Sequence, residues 1–242
     1  MNKILKTEII GLGPNSNLVK EYKKTLTKLS LVQLEIAIGL MLGDASLQTQ
    51  NKGKTYRMKF EWGDKHQAYL FHVYNLLDEW VLAQPHKKIR LNSNLNFVTT
   101  WAFQTLSHEA FNILAELFII NNKKGIIKDL IKNHLTARSL AYWFMDDGGK
   151  LDYNKNSNNF SVVLNTQSFI KEEVEIMAVE LSNKFNLNCS TRTNKGKQII
   201  IIDHSSYNKF LNLIKPYLIP EMEYKLPSFL KQETKSLLNI LN

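Results

Sequence analysis

Two stretches of this chain are apolar almost all the way round a helix and then run straight into acid. In the first, Leu34, Ala37, Ile38, Leu40, Met41 and Leu42 lead to Gly43 and Asp44. In the second, Leu140, Ala141, Trp143, Phe144 and Met145 lead to Asp146, Asp147, Gly148 and Gly149. A helix without a polar face belongs in a core, so both are predicted to be buried. Gly39 and Gly43 share one face of the first helix and leave room for a second helix to approach. Gly148 and Gly149 read as an ordinary helix C-cap. Elsewhere the pattern alternates or follows a helical period. Residues 46–62 predict a hairpin turning at Asn51–Lys52–Gly53, and residues 86–105 a second one turning near residues 92–94. Between them, Tyr69, Val73, Leu76, Leu77 and Trp80 stand at helical spacing and predict a helix over 65–82. The order recurs in the second half: a hairpin over 150–168, an amphipathic helix over 171–185, and a hairpin over 188–203 turning at Asn194–Lys195–Gly196.

The recurrence has a register. FNILAELFIINNKK ends at Lys124 and FLNLIKPYLIPEMEYK ends at Lys225, so Asp44 to Lys124 is 80 positions and Asp147 to Lys225 is 78. Two landmarks in step, about a hundred residues apart, argue for a duplicated unit. Each unit is helix, hairpin, helix, hairpin, helix, with residues 121–136 as the join. The expected class is α+β, built from two pseudo-twofold-related halves, residues 1–128 and 129–242, with the acid-tipped helices packed at their interface.

Charge adds a partner. Lysine and arginine number 31 against 22 acids, for a net charge of +9, which suits a polyanion. The basic residues concentrate in the hairpins: Lys52, Lys54, Arg57 and Lys59; His86, Lys87, Lys88 and Arg90; Lys150 and Lys155; Arg192, Lys195 and Lys197. Tyr153, Asn154, Asn194 and other polar side chains are interleaved with them. One sheet face can therefore pack on helices while the other meets phosphates and base edges. Double-stranded DNA is the expected partner. Only four residues are arginine, and lysine, asparagine and isoleucine are abundant, a bias that suits an AT-rich organellar genome. Cys189 is the only cysteine, so neither an internal disulfide nor a CxxC metal knuckle is expected. No run suggests a membrane span or a signal peptide, and there is no HExxH, P-loop or GxSxG motif.

The acids pose the chemical question. A helix C-terminus carries about half a negative charge and favours cations by ~0.3–1 kcal/mol. Asp44 and Asp147 sit there instead, and side by side they would repel each other. A divalent cation offsets both costs, because carboxylates, free helix-end carbonyls and phosphate are the hard oxygen ligands Mg²⁺ takes. Beside a basic surface, such a site fits phosphodiester hydrolysis. Lys124 and Lys225, equivalent in the repeat, are candidates to stabilise the transition-state charge.

At these residues the chain resembles the LAGLIDADG homing endonucleases. AIGLMLGDA (37–45) and LAYWFMDDG (140–148) are the two motif copies of the monomeric class. Further stretches, GPNS, GKTY, FEW, PHKK, NNKK, DYNKN, LNTQSF and LIKPYLIP, make it similar to the omega-type mitochondrial intron endonucleases of yeast. The resemblance spans Gly13 to Pro227. It implies two αββαββα subdomains forming a DNA-binding saddle and a monomer acting in mitochondria to promote intron mobility. It also implies Mg²⁺-dependent cutting of both strands of a long asymmetric site, with Mn²⁺ as a substitute ion and short 3′ overhangs. By position, Asp44 and Asp147 match the metal-binding acids, Lys124 and Lys225 the active-site lysines, and Gly43 and Asp146 residues whose carbonyls can help hold metal. The second copy departs in having Tyr142 where the motif has glycine, so the helix pair must be asymmetric. Asp146 replaces a small residue, which leaves open which acid of the pair works; repeat register favours Asp147. Two rival readings remain, an RNA maturase that assists splicing of its own intron and a transcription regulator that kept only the fold.

Overall fold

The computed structural model describes residues 4–151 and 159–227. After a leading helix α1 (Asn17–Thr25), the first half runs α2 (Leu31–Leu42), β1 (Ser46–Gln48), β2 (Arg57–Gly63), α3 (Gln67–Leu76), β3 (His86–Leu91), β4 (Phe97–Gln104) and α4 (Asn112–Phe118). A small ribbon, β5 (Ile119–Ile120) and β6 (Lys123–Lys124), and helix α5 (Leu130–His134) lead into the second half. That half runs α6 (Ala137–Asp147), β7 (Gly148–Lys150), β8 (Val162–Leu164), α7 (Lys171–Phe185), β9 (Cys189–Asn194), β10 (Lys197–Ile202) and α8 (Tyr207–Ile214), and a 3₁₀ turn at Pro220–Lys225 follows. The two four-stranded antiparallel sheets have the same order, β1-β2-β4-β3 and β7-β8-β10-β9, so the repeat is a repeat of topology. Residues 65–82 are not one helix. Helix α3 stops at Leu76 and a 3₁₀ turn at Asp78–Trp80 carries Trp80 inward.

The motif helices form the axis. Helix α2 starts with a reciprocal cap: Ser30 Oγ accepts from the Gln33 N–H and Gln33 Oε1 accepts from the Ser30 N–H. Thr136 Oγ1 accepts from the Ser139 N–H at the start of α6. The two helices pack directly, and Gly39 is the reason they can. A Cβ there would lie 2.3 Å from the Ser139 carbonyl oxygen and 2.9 Å from Tyr142 Cβ. Tyr142 is accommodated because Gly39 faces it, and its hydroxyl is 2.7 Å from His72 Nε2 on α3. Arg138 and Glu35 make an ion pair across the interface.

Each sheet closes one side of the core by simple alternation. Met58, Phe60 and Trp62 from β2 and Phe103 from β4 point inward in the first half. Val162, Leu164, Ile200 and Ile202 do so in the second. With the fully buried Trp143, Phe144 and Phe210 they form one continuous core across the halves. Each such side chain contributes about 1.5–3 kcal/mol on burial. Helix α1 packs separately, through Ile9, Val19, Tyr22 and Leu106. Gly148 is the C-cap of α6, its N–H donating to Phe144 O, but it is extended (φ −85°, ψ 167°) rather than left-handed, and with Gly149 it opens β7. Gly148 is required by proximity, since a Cβ would fall 2.1 Å from the Phe144 ring.

Candidate active site and DNA-facing surface

The two helix ends bring four charged groups together at the centre of the sheets. Lys124 and Lys225 each donate to the carbonyl of the residue just before an acid: Lys124 Nζ to Gly43 O at 2.6 Å, Lys225 Nζ to Asp146 O at 2.6 Å. Each ammonium also meets one more main-chain carbonyl, Ala45 O just past α2 for Lys124 and Met145 O in the last turn of α6 for Lys225. The repeat register read from the sequence is thus a spatial equivalence. A lysine does here what helix termini require, satisfying carbonyls that have no intrahelical donor.

The titration behaviour follows from burial and crowding. Burial pushes Asp147 up to about 7, and the Asp44 carboxylate adds to the rise while Lys124 and Lys225 oppose it. Asp44, at the open mouth, is also raised by desolvation, against the pull of both lysines and of Trp62. Both lysines are lowered by burial, with the acids opposing. Two buried acids, one raising the other's cost of ionisation, flanked by main-chain oxygens, are a hard-oxygen donor set suited to a divalent cation. Among the described residues no group of three or more His, Cys, Asp or Glu side chains could hold a metal. A cation at this point would therefore depend on the two carboxylates, the Gly43 and Asp146 carbonyls, and oxygens from water or substrate.

Asp146 has a different role from its neighbour. Its carboxylate is buried and turned back into the helix interface, where Oδ2 accepts from the Asp44 N–H at 3.0 Å and Oδ1 from Trp62 Nε1 at 2.9 Å. It fills the space opposite Gly43, where a Cβ would lie 2.5 Å from Asp146 Cβ. Burial raises its pKa well above the usual range, and the two neighbouring acids add to that. Its side chain ties the two helix ends together, and only its carbonyl faces Lys225. Trp62, which the sequence offered only within the FEW stretch and at an inward strand position, is the Asp146 carboxylate's partner.

The outward face of the first sheet carries Arg57, Lys59, His86, Lys88 and Arg90, by the pairings Lys59↔Gln104, His86↔Ala102, Lys88↔Thr100 and Arg90↔Val98. Asp44, Lys59, Glu61, His86, Lys88 and Gln104 line one concavity of about 440 Å³, so the acid opens directly onto this face. Gln48 Oε1 accepts from Arg57 Nε and Nη2, holding its fork. Lys52 and Lys54 are exposed in the β1–β2 connection, where Lys52 and Gly53 take positive φ. Lys87 does not belong with the others. It pairs with Trp101 on the opposite face, and its ammonium is 3.9 Å from Asp64, because strand side chains alternate.

In the second sheet, Arg192, Asn194 and Lys197 share a face with Ile199 and Val163, and Lys195 is at the exposed turn. Lys150, opposite Val162, is on the core side of its strand rather than this face. Tyr153, Asn154 and Lys155 lie outside the described residues. Among the described residues no helix is long and apolar enough to cross a membrane.

Comparison with known proteins places this architecture. Residues 34–210 match the LAGLIDADG DNA endonuclease family. The chain is 51% identical over 223 residues to the probable intron-encoded endonuclease 1 of Wickerhamomyces canadensis, covering 92% of this chain and 96% of that protein. It superposes on the homing endonuclease I-WcaI bound to its DNA recognition sequence with a TM-score of 0.88 at 50% identity, covering 93% of this chain and 98% of that one. A cytochrome b mRNA maturase, bI2 of Saccharomyces cerevisiae, is 28% identical over 87% of this chain and 51% of that protein. With duplicated acid-tipped helices, two like-ordered sheets and these matches, the chain belongs to the LAGLIDADG DNA endonuclease family.

Proposed function

We propose that this endonuclease makes a double-strand break at a long asymmetric DNA site, with Asp44 and Asp147 as the metal-binding acids and Lys124 and Lys225 as the active-site cations. Its halves divide near residues 128 and 129. The observation that carries this reading is the matched placement of the two lysines, each 2.6 Å from the carbonyl before an acid. Enzymes of the family use a divalent metal, and Mg²⁺ is the ion proposed here, with Mn²⁺ as a substitute. When bound, it activates water and stabilises the leaving oxygen. Asp44 and Asp147 would hold it with the Gly43 and Asp146 carbonyls. The chain's own groups do the rest. The lysines offset charge that develops on the phosphate, and the outward sheet faces grip the duplex so that both scissile phosphates meet the helix ends. Cutting across the minor groove leaves short 3′ overhangs. The product promotes mobility of a mitochondrial intron, the setting that the intron-encoded relatives favour.

The test is a plasmid carrying the intronless insertion junction, incubated in Mg²⁺ and then in EDTA. Linear product only in Mg²⁺ is expected, and an intact plasmid in both would sink the reading. The likeness to the mRNA maturase supports a second reading, assistance to splicing. Accelerated splicing of the precursor RNA by a variant that no longer cuts DNA is the result expected under it.

A further inference from the structure

One acid stands in the middle of the basic face. Glu61 on β2 reaches across the sheet to three partners. Lys88 Nζ donates to its Oε2 at 2.8 Å, Thr100 Oγ1 to its Oε1 at 2.8 Å, and Arg90 Nη1 lies 3.2 Å from Oε1. The register allows this. Glu61 pairs with Ala102 on the central strand β4, and Ala102 pairs in turn with His86 on β3. A small residue at 102 lets a β2 side chain and the β3 cations meet above it. Hydrogen bonding from Lys88 holds the Glu61 carboxyl below its ordinary range, with Thr100 and the two cations adding to that.

At the equivalent position of the second half the residue is not an acid. Counting from the paired strands next to each motif acid, Ser46↔Lys59 and Gly149↔Val163, the position equivalent to Glu61 is Asn165. Asn165 donates from Nδ2 to Asp147 O at 2.8 Å, serving the end of α6 rather than the sheet face. So, among the described residues, an acid at this point of the sheet face belongs to the first half alone. It works against non-specific grip, which rests on phosphate charge. A device that costs affinity for every sequence makes sense where it raises discrimination.

The donors left over indicate what is discriminated. Arg90, ion-paired with Glu61, has a side chain still 63% exposed, and Lys88 gives Glu61 one of its three donors. Arginine and lysine donate to guanine O6 and N7, and a glutamate accepts from cytosine N4. Building on the endonuclease reading above, we infer that Glu61, Lys88 and Arg90 form a base-reading cluster selecting a G·C pair in the half-site under the first sheet. Glu61 positions the two cations and accepts from the cytosine.

The test separates this inference from the activity it builds on. A partly randomised duplex library is selected twice with purified protein, once for binding in EDTA and once for cutting in Mg²⁺, using wild type and Glu61→Gln. For Glu61→Gln, the binding selection should lose about tenfold of the preference for G·C at one or two adjacent positions on one side of the centre. Affinity for scrambled duplex should rise at the same time. Arg90→Gln, a change at an exposed side chain, should relax the same positions. Wild-type and Glu61→Gln profiles that coincide at every position would overturn the inference. So would Arg90→Gln relaxing a different position. If binding preferences change as expected and no variant cuts, the cluster stands and the nuclease reading falls. A Glu61→Gln effect confined to melting temperature would make the cluster a surface ion pair only.

Discussion

The two halves place the same chemistry on differently built supports. In the first, the residue before the acid is Gly43; in the second it is Asp146. Each supplies a carbonyl to an equivalent lysine. The side chains, however, are complementary rather than alike: Asp146 occupies the volume that Gly43 leaves free and bonds to the Asp44 main chain. A single chain can diverge in this way because its two halves need to fit each other and not themselves. Gly39 against Tyr142 is the same solution one helical turn earlier. The outer sheet faces diverge further. At the positions of Glu61 and Lys88 in the first sheet the second has Asn165 and Asn194, and its Arg192 and Lys197 share the face with apolar Ile199 and Val163.

The sharpest test of equivalence at the centre is to remove one acid at a time. Asp44→Asn and Asp147→Asn should each lower double-strand cutting by about three orders of magnitude, the upper range for a lost charge-stabilising group. DNA affinity in a gel shift should be retained. A variant of either kind that cuts at the normal rate would end the metal assignment. Lys124→Ala and Lys225→Ala come next, with cleavage slowed by about 10²-fold and affinity little changed. The lysines differ in surroundings: Lys124 lies 5.6 Å from the Phe169 ring centre, whereas Lys65 lies near Lys225 and helps lower its pKa. Single-strand nicking rates on end-labelled duplex should therefore fall unequally in the two variants. Equal losses on both strands would mean that the halves are functionally interchangeable.

The steric half of the comparison is testable by a double-mutant cycle. Gly43→Ala alone drives a methyl into Asp146, and Asp146→Gly alone leaves the Trp62 N–H and the Asp44 N–H without their acceptor. The latter should cost about 1–3 kcal/mol, or a fall in Tm of roughly 2–4 °C per kcal/mol for a chain of this size. In the double variant the methyl has room, so the combined loss should be smaller than the sum by about 0.5–3 kcal/mol. Simple additivity in thermal or urea denaturation would show that the two positions are not packed as complements.

Much of this arrangement was legible in the chain. The duplicated order of elements, the buried motif helices and the pairing of each acid with a distant lysine all follow from periodicity and from two spacings, 80 and 78. What the pattern hid depended on a partner in space. Charge counting put Lys87 and Lys150 with the DNA-facing residues, but strand alternation turns them to the other side. It also passed over Glu61, because an acid in a basic hairpin reads as an exception until its three donors are seen. Asp146 stayed ambiguous since only the position of Gly43 opposite it shows which way its carboxylate turns. The glycine after Asp147 read as a cap, and Gly148 is one; that it also opens β7 against the Phe144 ring has no trace in local sequence.

The remaining test is of pH dependence, and it isolates Asp147 from its surroundings. Its pKa is about 7 in the folded protein against 3.8 for an ordinary aspartate. Folding therefore favours the protonated form. That contribution to stability is complete below about pH 4 and is lost as pH rises through about 7. His66 works the other way: burial, with Lys225 and Lys65, lowers it from 6.5 to about 4, so its neutral form is favoured and stability rises over that window. The two oppose each other in wild type, which makes a bare pH–Tm curve uninformative. The difference between Asp147→Asn and wild type in EDTA removes His66, since both proteins carry it. That difference should grow in favour of the variant from pH 4 to pH 8, because the variant has no carboxylate to ionise. Adding Mg²⁺ at pH 8 should reverse it, as an ion that binds only the folded wild type stabilises it by mass action. A difference that stays flat across this range would mean that Asp147 ionises freely, and the site would then be an open surface rather than the crowded junction of two helix ends.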